Sequence, residues 1–209
     1  MRMGIFGGTF NPVHNGHVRT AEEIRRIMTL DRILFIPSGN PPLKSRDLAD
    51  AADRYAMTVL AVAGNPVFDV SDIELVRKQK SYTVDTVRSL LHDHPHDHLF
   101  LILGIDAFLD MPNWYRPDEL VSLIDIIVME RPGIASTSIA ASPFLADLKP
   151  DARGIWRFPG GKTVSLVAVA PHDISSTRIR QLVRSGRNID HLVPAPVAEY
   201  ISTHRLYRS

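Results

Sequence analysis

Short apolar or β-branched runs recur along the chain, separated by stretches whose apolar residues repeat at helical spacing. Met3–Phe6 (MGIF), Arg32–Pro37 (RILFIP), Phe68–Leu75 (FDVSDIEL), His98–Gly104 (HLFLILG), Ile124–Glu130 (IDIIVME) and Thr163–Ala170 (TVSLVAVA) read as strands. Alternation of this kind predicts an α/β fold of the Rossmann-like type: a doubly wound, mostly parallel sheet with helices on both faces. In such sheets ligands collect beyond the carboxyl ends of the strands, near the point where strand order reverses, so loops leaving those ends are where chemistry is expected. The pattern weakens between Gly133 and Lys162. There it predicts a short helix near Ala140–Leu148 and then a surface hairpin or loop at Phe158–Lys162 (FPGGK), because Thr163 resumes the core pattern. The chain therefore reads as one domain over 1–209, with a helical part from about 172 to 209 packed on it.

Composition narrows the class. Of 209 residues 44% are hydrophobic and 22% charged, ordinary for a chain that buries a core. No apolar run approaches the ~18 residues that span a membrane, and MRMGIF lacks the apolar stretch of a signal peptide, so a cytoplasmic protein without a membrane partner is expected. Zero cysteines exclude disulfides and thiolate metal sites. A net charge of +1 argues against long nucleic acid as a partner. Nothing in the pattern sets an oligomeric state. Charge is nevertheless uneven: Met1–Ala21 holds no acid, Lys44 and Arg46 are unopposed within Ser38–Arg46, and Ile174–Ile189 carries Arg178, Arg180, Arg184 and Arg187 without an acid. The tract His92–His98 (HDHPHDH) has the composition of a metal site, but it lies between a helix ending near Leu91 and a strand, where a solvated turn is the expectation.

The stretch Gly4–His17 (GIFGGTFNPVHNGH) follows the first strand directly. A strand ending at Phe6, glycines at 7 and 8, and a helix starting near His14–Gly16 make a strand-turn-helix unit. Its backbone N–H groups, from Gly7, Gly8, Thr9 and Phe10 into the helix start, can converge on an anion. His14 and His17, three apart, share a face of the first helical turn and point into the same cradle. Both are expected to be neutral without ligand and to donate more strongly, as imidazolium, once a polyphosphate binds. The glycine spacing is not G-x-G-x-x-G, which argues against a nicotinamide-dependent oxidoreductase.

GGTFNPVHNGH resembles the His-x-Gly-His signature of the nucleotidyltransferase superfamily. With NPPLK (Asn40–Lys44) and SYTVDT (Ser81–Thr86) downstream, the chain is similar to the bacterial nicotinate-nucleotide adenylyltransferase family from Gly4 to about Tyr200. The resemblance implies transfer of the adenylyl group of ATP to nicotinate mononucleotide, with Mg²⁺ arriving on ATP because no carboxylate cluster would hold it. It also assigns roles. Lys44 ends a proline-stiffened loop and, read alone, is either a solvated lysine or a point charge for phosphate; the match favours phosphate. Leu43 stands where the family more often has histidine, so no imidazole role carries over. Ser81 reads as a cap for a helix Val84–Leu91, and the family places the nicotinate carboxylate at this helix start, near Tyr82 and Thr83, with Thr86 a weaker candidate.

Trp114, on a proline-flanked loop, is either core or a stacking surface for a flat pyridine ring. The resemblance favours stacking, with Tyr115 nearby and Gly104 and Asp106 at the nucleotide. In HDISSTRIRQLVRSG, Ser175 or Ser176 caps a helix with Thr177 and Arg180 on one face. Arg180 matches the arginine of the family's Ser-Ser-Thr-x-Ile-Arg motif, which makes Ser176, Thr177 and Arg180 ATP ligands and Arg180, with His14, His17 and Lys44, catalytic. The segment Leu192–Ile201 reads as a packing helix. Nicotinamide mononucleotide or phosphopantetheine as acceptor, and a nucleotide-binding module without turnover, remain the alternatives.

Overall fold

The computed structural model describes residues 1–40, 47–77, 80–130, 139–140 and 142–208. Within them one sheet is built from β1 (Arg2–Gly8), β2 (Arg32–Pro37), β3 (Phe68–Val70), β4 (His98–Gly104), β5 (Asp125–Met129), β6 (Ile155–Arg157) and β7 (Thr163–Val167). The order is β3-β2-β1-β4-β5-β7-β6, parallel throughout except for β6 against β7. The helices are α1 (Asn15–Ile27), α2 (Ala51–Val62), α3 (Thr83–Asp93), α4 (Ile105–Asp110), α5 (Pro117–Leu123), α6 (Ser176–Arg184) and α7 (Ala195–Thr203). No helix among the described residues is long and apolar enough to cross a membrane.

Successive side chains of a strand point to opposite faces, and both faces of this sheet are covered. Met3, Ile5 and Leu101 pack with Val87 of α3, Phe108 of α4 and Leu120 of α5. Phe6, Ile33 and Phe35 pack on the other side with Ile24 of α1, Met57 of α2, Ile179 of α6 and Val197 of α7. The doubly wound expectation holds. The chain leaves β1 for β2 and β3 on one side and returns to β4 on the other. The loops beyond the carboxyl ends of β1 and β4 therefore part company and leave a crevice.

Several boundaries differ from those the pattern predicts. β1 does not stop at Phe6, because Gly7 and Gly8 continue the ladder opposite Ile36 and Pro37 of β2. β3 is only three residues long. After Ser71 donates to the Phe35 carbonyl the chain turns, with the N–H groups of Leu75 and Val76 both on the Asp72 carbonyl. β7 ends at Val167, and Ala170 beyond it donates instead to the Glu23 carboxylate of α1. In place of a helix over 140–148 there is a 3₁₀ turn at Pro143–Leu145, where Pro143 starts the turn and the segment is too short to propagate. The FPGGK hairpin joins β6 and β7 as expected.

The His92–His98 tract closes the turn between α3 and β4. His94 pairs with Asp97, and His98 reaches Asp125 at 2.7 Å. Among the described residues no three histidine, aspartate or glutamate side chains gather as a metal site.

Beside the crevice, Arg54 of α2 is 1% exposed. Its guanidinium donates to the carbonyls of Thr9 (2.8 Å), Gly39 (3.2 Å) and Ala49 (3.0 Å), so one buried cation ties the loop after β1 to the loop after β2 and to the entry of α2. A buried charge is tolerated only when so bonded. Gly39 must lack a side chain there, since a β-carbon would sit 2.1 Å from the Glu74 carbonyl oxygen. Gly39→Ala is expected to lower stability by about 1–3 kcal/mol, read as a fall in Tm of several degrees. Gly64→Ala, where a β-carbon meets nothing within 4 Å, is the control and leaves Tm in place.

Candidate active site

The turn between β1 and α1 carries the first layer of the site. Its left-handed residue is Phe10 (φ 47°), not a glycine, and the Asn11–Pro12 bond is cis. Phe10 is held in that conformation by aromatic packing: its ring lies 5.1 Å edge-on from His17 and 5.8 Å from Phe6. Gly8 earns its place by proximity, since a β-carbon there would lie 3.0 Å from the Phe10 ring. At Gly7 a β-carbon would meet nothing within 4 Å, so this position leaves open space at the strand end.

The two histidines cap α1 reciprocally. The His17 backbone N–H donates to His14 Nδ1 at 3.3 Å, and the His14 backbone N–H donates to His17 Nδ1 at 3.2 Å. Their rings stack with centroids 3.6 Å apart and planes 20° from parallel. Because each Nδ1 accepts, each neutral ring carries its proton on Nε2, and that N–H is the donor it can offer an oxyanion. Burial, with His172 adding, lowers the His14 pKa to about 4. Burial and then His14 hold His17 well below the usual histidine range.

The expected neutral state is therefore what the geometry favours. A switch to imidazolium would need a second proton on an Nδ1 already taken by a backbone N–H, and would break the cap.

Gly7, Gly8, Thr9, Phe10, His14, His17, Gly104, Asp106 and Ser176 line one cavity of about 660 Å³ at the crevice between β1 and β4. Gly104 ends β4 and caps α4, placing Asp106 in the first turn of that helix. α6 brings its amino end to the same cavity. Ser175, not Ser176, caps it by accepting from the Arg178 N–H, while Ser176 donates to the Pro12 carbonyl at 2.8 Å and so ties α6 to the turn. Arg180 lies behind the lining. It donates to the Asn11 carbonyl at 2.9 Å and contacts the Thr177 hydroxyl at 3.4 Å.

Other candidates are placed elsewhere. Lys44 and Leu43 lie outside the described residues. Tyr82, Thr83, Trp114 and Tyr115 are not in the cavity lining; Tyr82 and Tyr115 face each other at 4.4 Å, and Trp114 Nε1 donates to Asp110. Thr86 is 3% exposed, its hydroxyl donating to Glu74 and accepting from Arg77, so it braces the segment before α3. Ser81 is no cap either. Tyr82 holds that position without a side-chain bond, and the Ser81 hydroxyl is on the Glu74 carbonyl at 3.4 Å.

His172 and Glu130 line the cavity without any local signal in the sequence. His172 Nε2 is buried with no hydrogen-bond partner among the described residues, next to His14, whose pKa it lowers.

The profile of the Cytidylyltransferase-like family matches residues 5–182. The chain belongs to that family. A protein of Geobacter metallireducens named "Probable nicotinate-nucleotide adenylyltransferase" is 42% identical over 99% of this chain and 98% of its own. One of the same name from Geobacter sp. strain M21 is 44% identical with the same coverage. Among solved structures, Plasmodium falciparum nicotinic acid mononucleotide adenylyltransferase complexed with NaAD superposes with a TM-score of 0.76 at 20% identity, over 99% of this chain and 97% of that one. That likeness concerns the fold.

The histidine geometry sets a pH response. A histidine whose folded pKa is depressed stabilises the fold above its unfolded pKa near 6.5, and that contribution drains away as pH falls towards the folded value, about 4 for His14. Stability is expected to fall between pH 6.5 and 4 with a slope of up to about 1.4 kcal/mol per pH unit for each such ring. Nitrogen NMR of the imidazoles checks the cause: between pH 7.5 and 5.5 His14 and His17 should show unprotonated Nδ1, protonated Nε2 and no titration step.

Proposed function

We propose that the protein transfers the adenylyl group of ATP to nicotinate mononucleotide, forming nicotinate adenine dinucleotide and releasing pyrophosphate. The observation that carries this reading is the pair of neutral imidazoles at the amino end of α1, opening on a cavity that the amino end of α6 also borders. Two helix amino ends and two Nε2–H donors favour a polyanion, and full-length relatives above 40% identity carry the name of this activity.

The acceptor's 5′-phosphate is already anionic near neutral pH, so its oxygen needs no general base. It attacks the α-phosphorus, the new P–O bond forms, the bond from the α-phosphorus to the bridging oxygen breaks, and pyrophosphate leaves with the negative charge. Catalysis then consists of alignment and charge stabilisation. In this reading the Gly7–Phe10 backbone and the His14 and His17 Nε2–H groups hold the triphosphate. Ser176 and Thr177 serve the departing pyrophosphate, Arg180 adds its charge from behind the lining, and Lys44 is a further point charge for phosphate. Gly104 and Asp106 meet the nucleoside, while Tyr82, Thr83, Trp114 and Tyr115 form the surface for the nicotinate ring and its carboxylate.

The cavity offers backbone N–H groups, imidazoles and hydroxyls to an anion, and its carboxylates, Asp106 and Glu130, belong to no described cluster of three that would hold a bare cation. A divalent ion therefore fits as Mg²⁺ carried on the phosphates of ATP, where it would supply neutralisation of phosphate charge.

Incubation with ATP, Mg²⁺ and equal nicotinate and nicotinamide mononucleotides, with phosphopantetheine in parallel, is expected to yield nicotinate adenine dinucleotide as the main product. His17→Ala should lower kcat by about 100–1000-fold while ATP still binds. A protein that binds ATP and never releases pyrophosphate, or one that prefers the uncharged nicotinamide, overturns the reading.

A further inference from the structure

At the opposite end of the chain, Tyr207 is buried in the core that also takes in residues of α1, α2 and α7, and its phenol donates to Asn11 Oδ1 at 2.8 Å. The backbone is bent to put it there. Arg205 and Tyr207 both adopt left-handed conformations (φ 53° and 62°), uncommon for side-chain-bearing residues and kept only where the surroundings enforce them. The Leu206 N–H returns to the Ile201 carbonyl, folding the tail back over α7.

Asn11 is the residue on which distant segments converge. It is 6% exposed; its Nδ2 donates to the Asp47 carbonyl at 2.9 Å, and its Oδ1 accepts from the Ala49 N–H at 3.1 Å as well as from Tyr207. Its own carbonyl accepts from Arg180 Nη1 at 2.9 Å. One step along, the Pro12 carbonyl accepts from Ser176. One step back, Phe10 has the left-handed backbone of the turn. The orientation of the Asn11 peptide thus decides where the Arg180 guanidinium sits relative to the cradle.

We propose that Tyr207 is a positioning residue for adenylyl transfer: through Asn11 it fixes the peptide that aims Arg180 at the departing pyrophosphate. This rests on the role given to Arg180 under Proposed function. Nothing about Tyr207 touches substrate. Its effect is to keep one carbonyl from rotating, and loss of aim at charge that develops only in the transition state shows in kcat more than in KM.

The test is a double-mutant cycle on the full chain with Tyr207→Phe and Arg180→Lys, read as kcat and KM for ATP. Phenylalanine keeps the ring in the core and removes one oxygen, and melting curves check that the variants are folded. Tyr207→Phe is expected to lower kcat by about tenfold with KM for ATP changed less than about twofold. The double variant is expected to be no slower than Arg180→Lys alone within about twofold, because both substitutions damage one device.

Tyr207→Phe with unchanged kcat, beside a slow Arg180→Lys, overturns the positioning role and leaves the function intact. Losses that multiply in the double variant also overturn it, since Tyr207 then acts independently of Arg180. Arg180→Lys without effect sinks the assignment of Arg180 itself, and the route through Tyr207 with it.

Discussion

The reciprocal cap between His14 and His17 is the interaction on which the site depends. A helix amino end leaves backbone N–H groups without intrahelical partners, and two of the N–H groups at this end of α1 are spent on the imidazoles. That single exchange does three things. It terminates the helix at the strand-side turn, locks both rings into the tautomer that presents Nε2–H, and makes protonation unfavourable by occupying the other nitrogen. Donors of this kind stabilise charge without first needing a proton from solution. Burial of the His17 ring against Phe6 and Phe10 reinforces the same state.

A cap alone does not hold a cradle still. The turn from Thr9 to Pro12 carries a left-handed phenylalanine and a cis peptide, and its carbonyls are gripped from outside: Thr9 by Arg54, Asn11 by Arg180, Pro12 by Ser176. The side chain of Asn11 adds the Asp47–Ala49 segment and Tyr207. Every one of these partners lies more than thirty residues away in the chain. The rigidity of the turn and its N–H donors is thus a tertiary property, built from α2, α6 and the tail after α7. The two cations behind the turn serve backbone carbonyls while their positive charge favours an anion in front.

The same contrast appears in what was legible from residue order. Alternation of strands and helices, the strand-turn-helix unit, the shared face of the two histidines and the capped basic helix were all readable, because each depends on neighbours a few positions apart. So was the turn reading of the His92–His98 tract. Less legible were points where a partner strand or a distant carbonyl intervenes. Gly7 and Gly8 belong to β1 because β2 runs alongside long enough to pair with them. β3 stops early because the chain turns at Asp72, bringing Glu74 to Thr86 and to Gly39. Thr86 and Ser81 looked like ligand or cap residues and serve internal bonds.

By itself, the sequence determined the sheet class and the glycine- and histidine-bearing turn between the first strand and the first helix. These follow from periodicity, spacing and residue type, which are local. Only the tertiary structure decided the tautomers of His14 and His17, the burial of Arg54 and Tyr207, and the entry of His172 into the cavity. An arginine in a helix or a tyrosine near a terminus looks the same in sequence whether solvated or buried. What distinguishes them is which carbonyls and rings folding brings within hydrogen-bond reach.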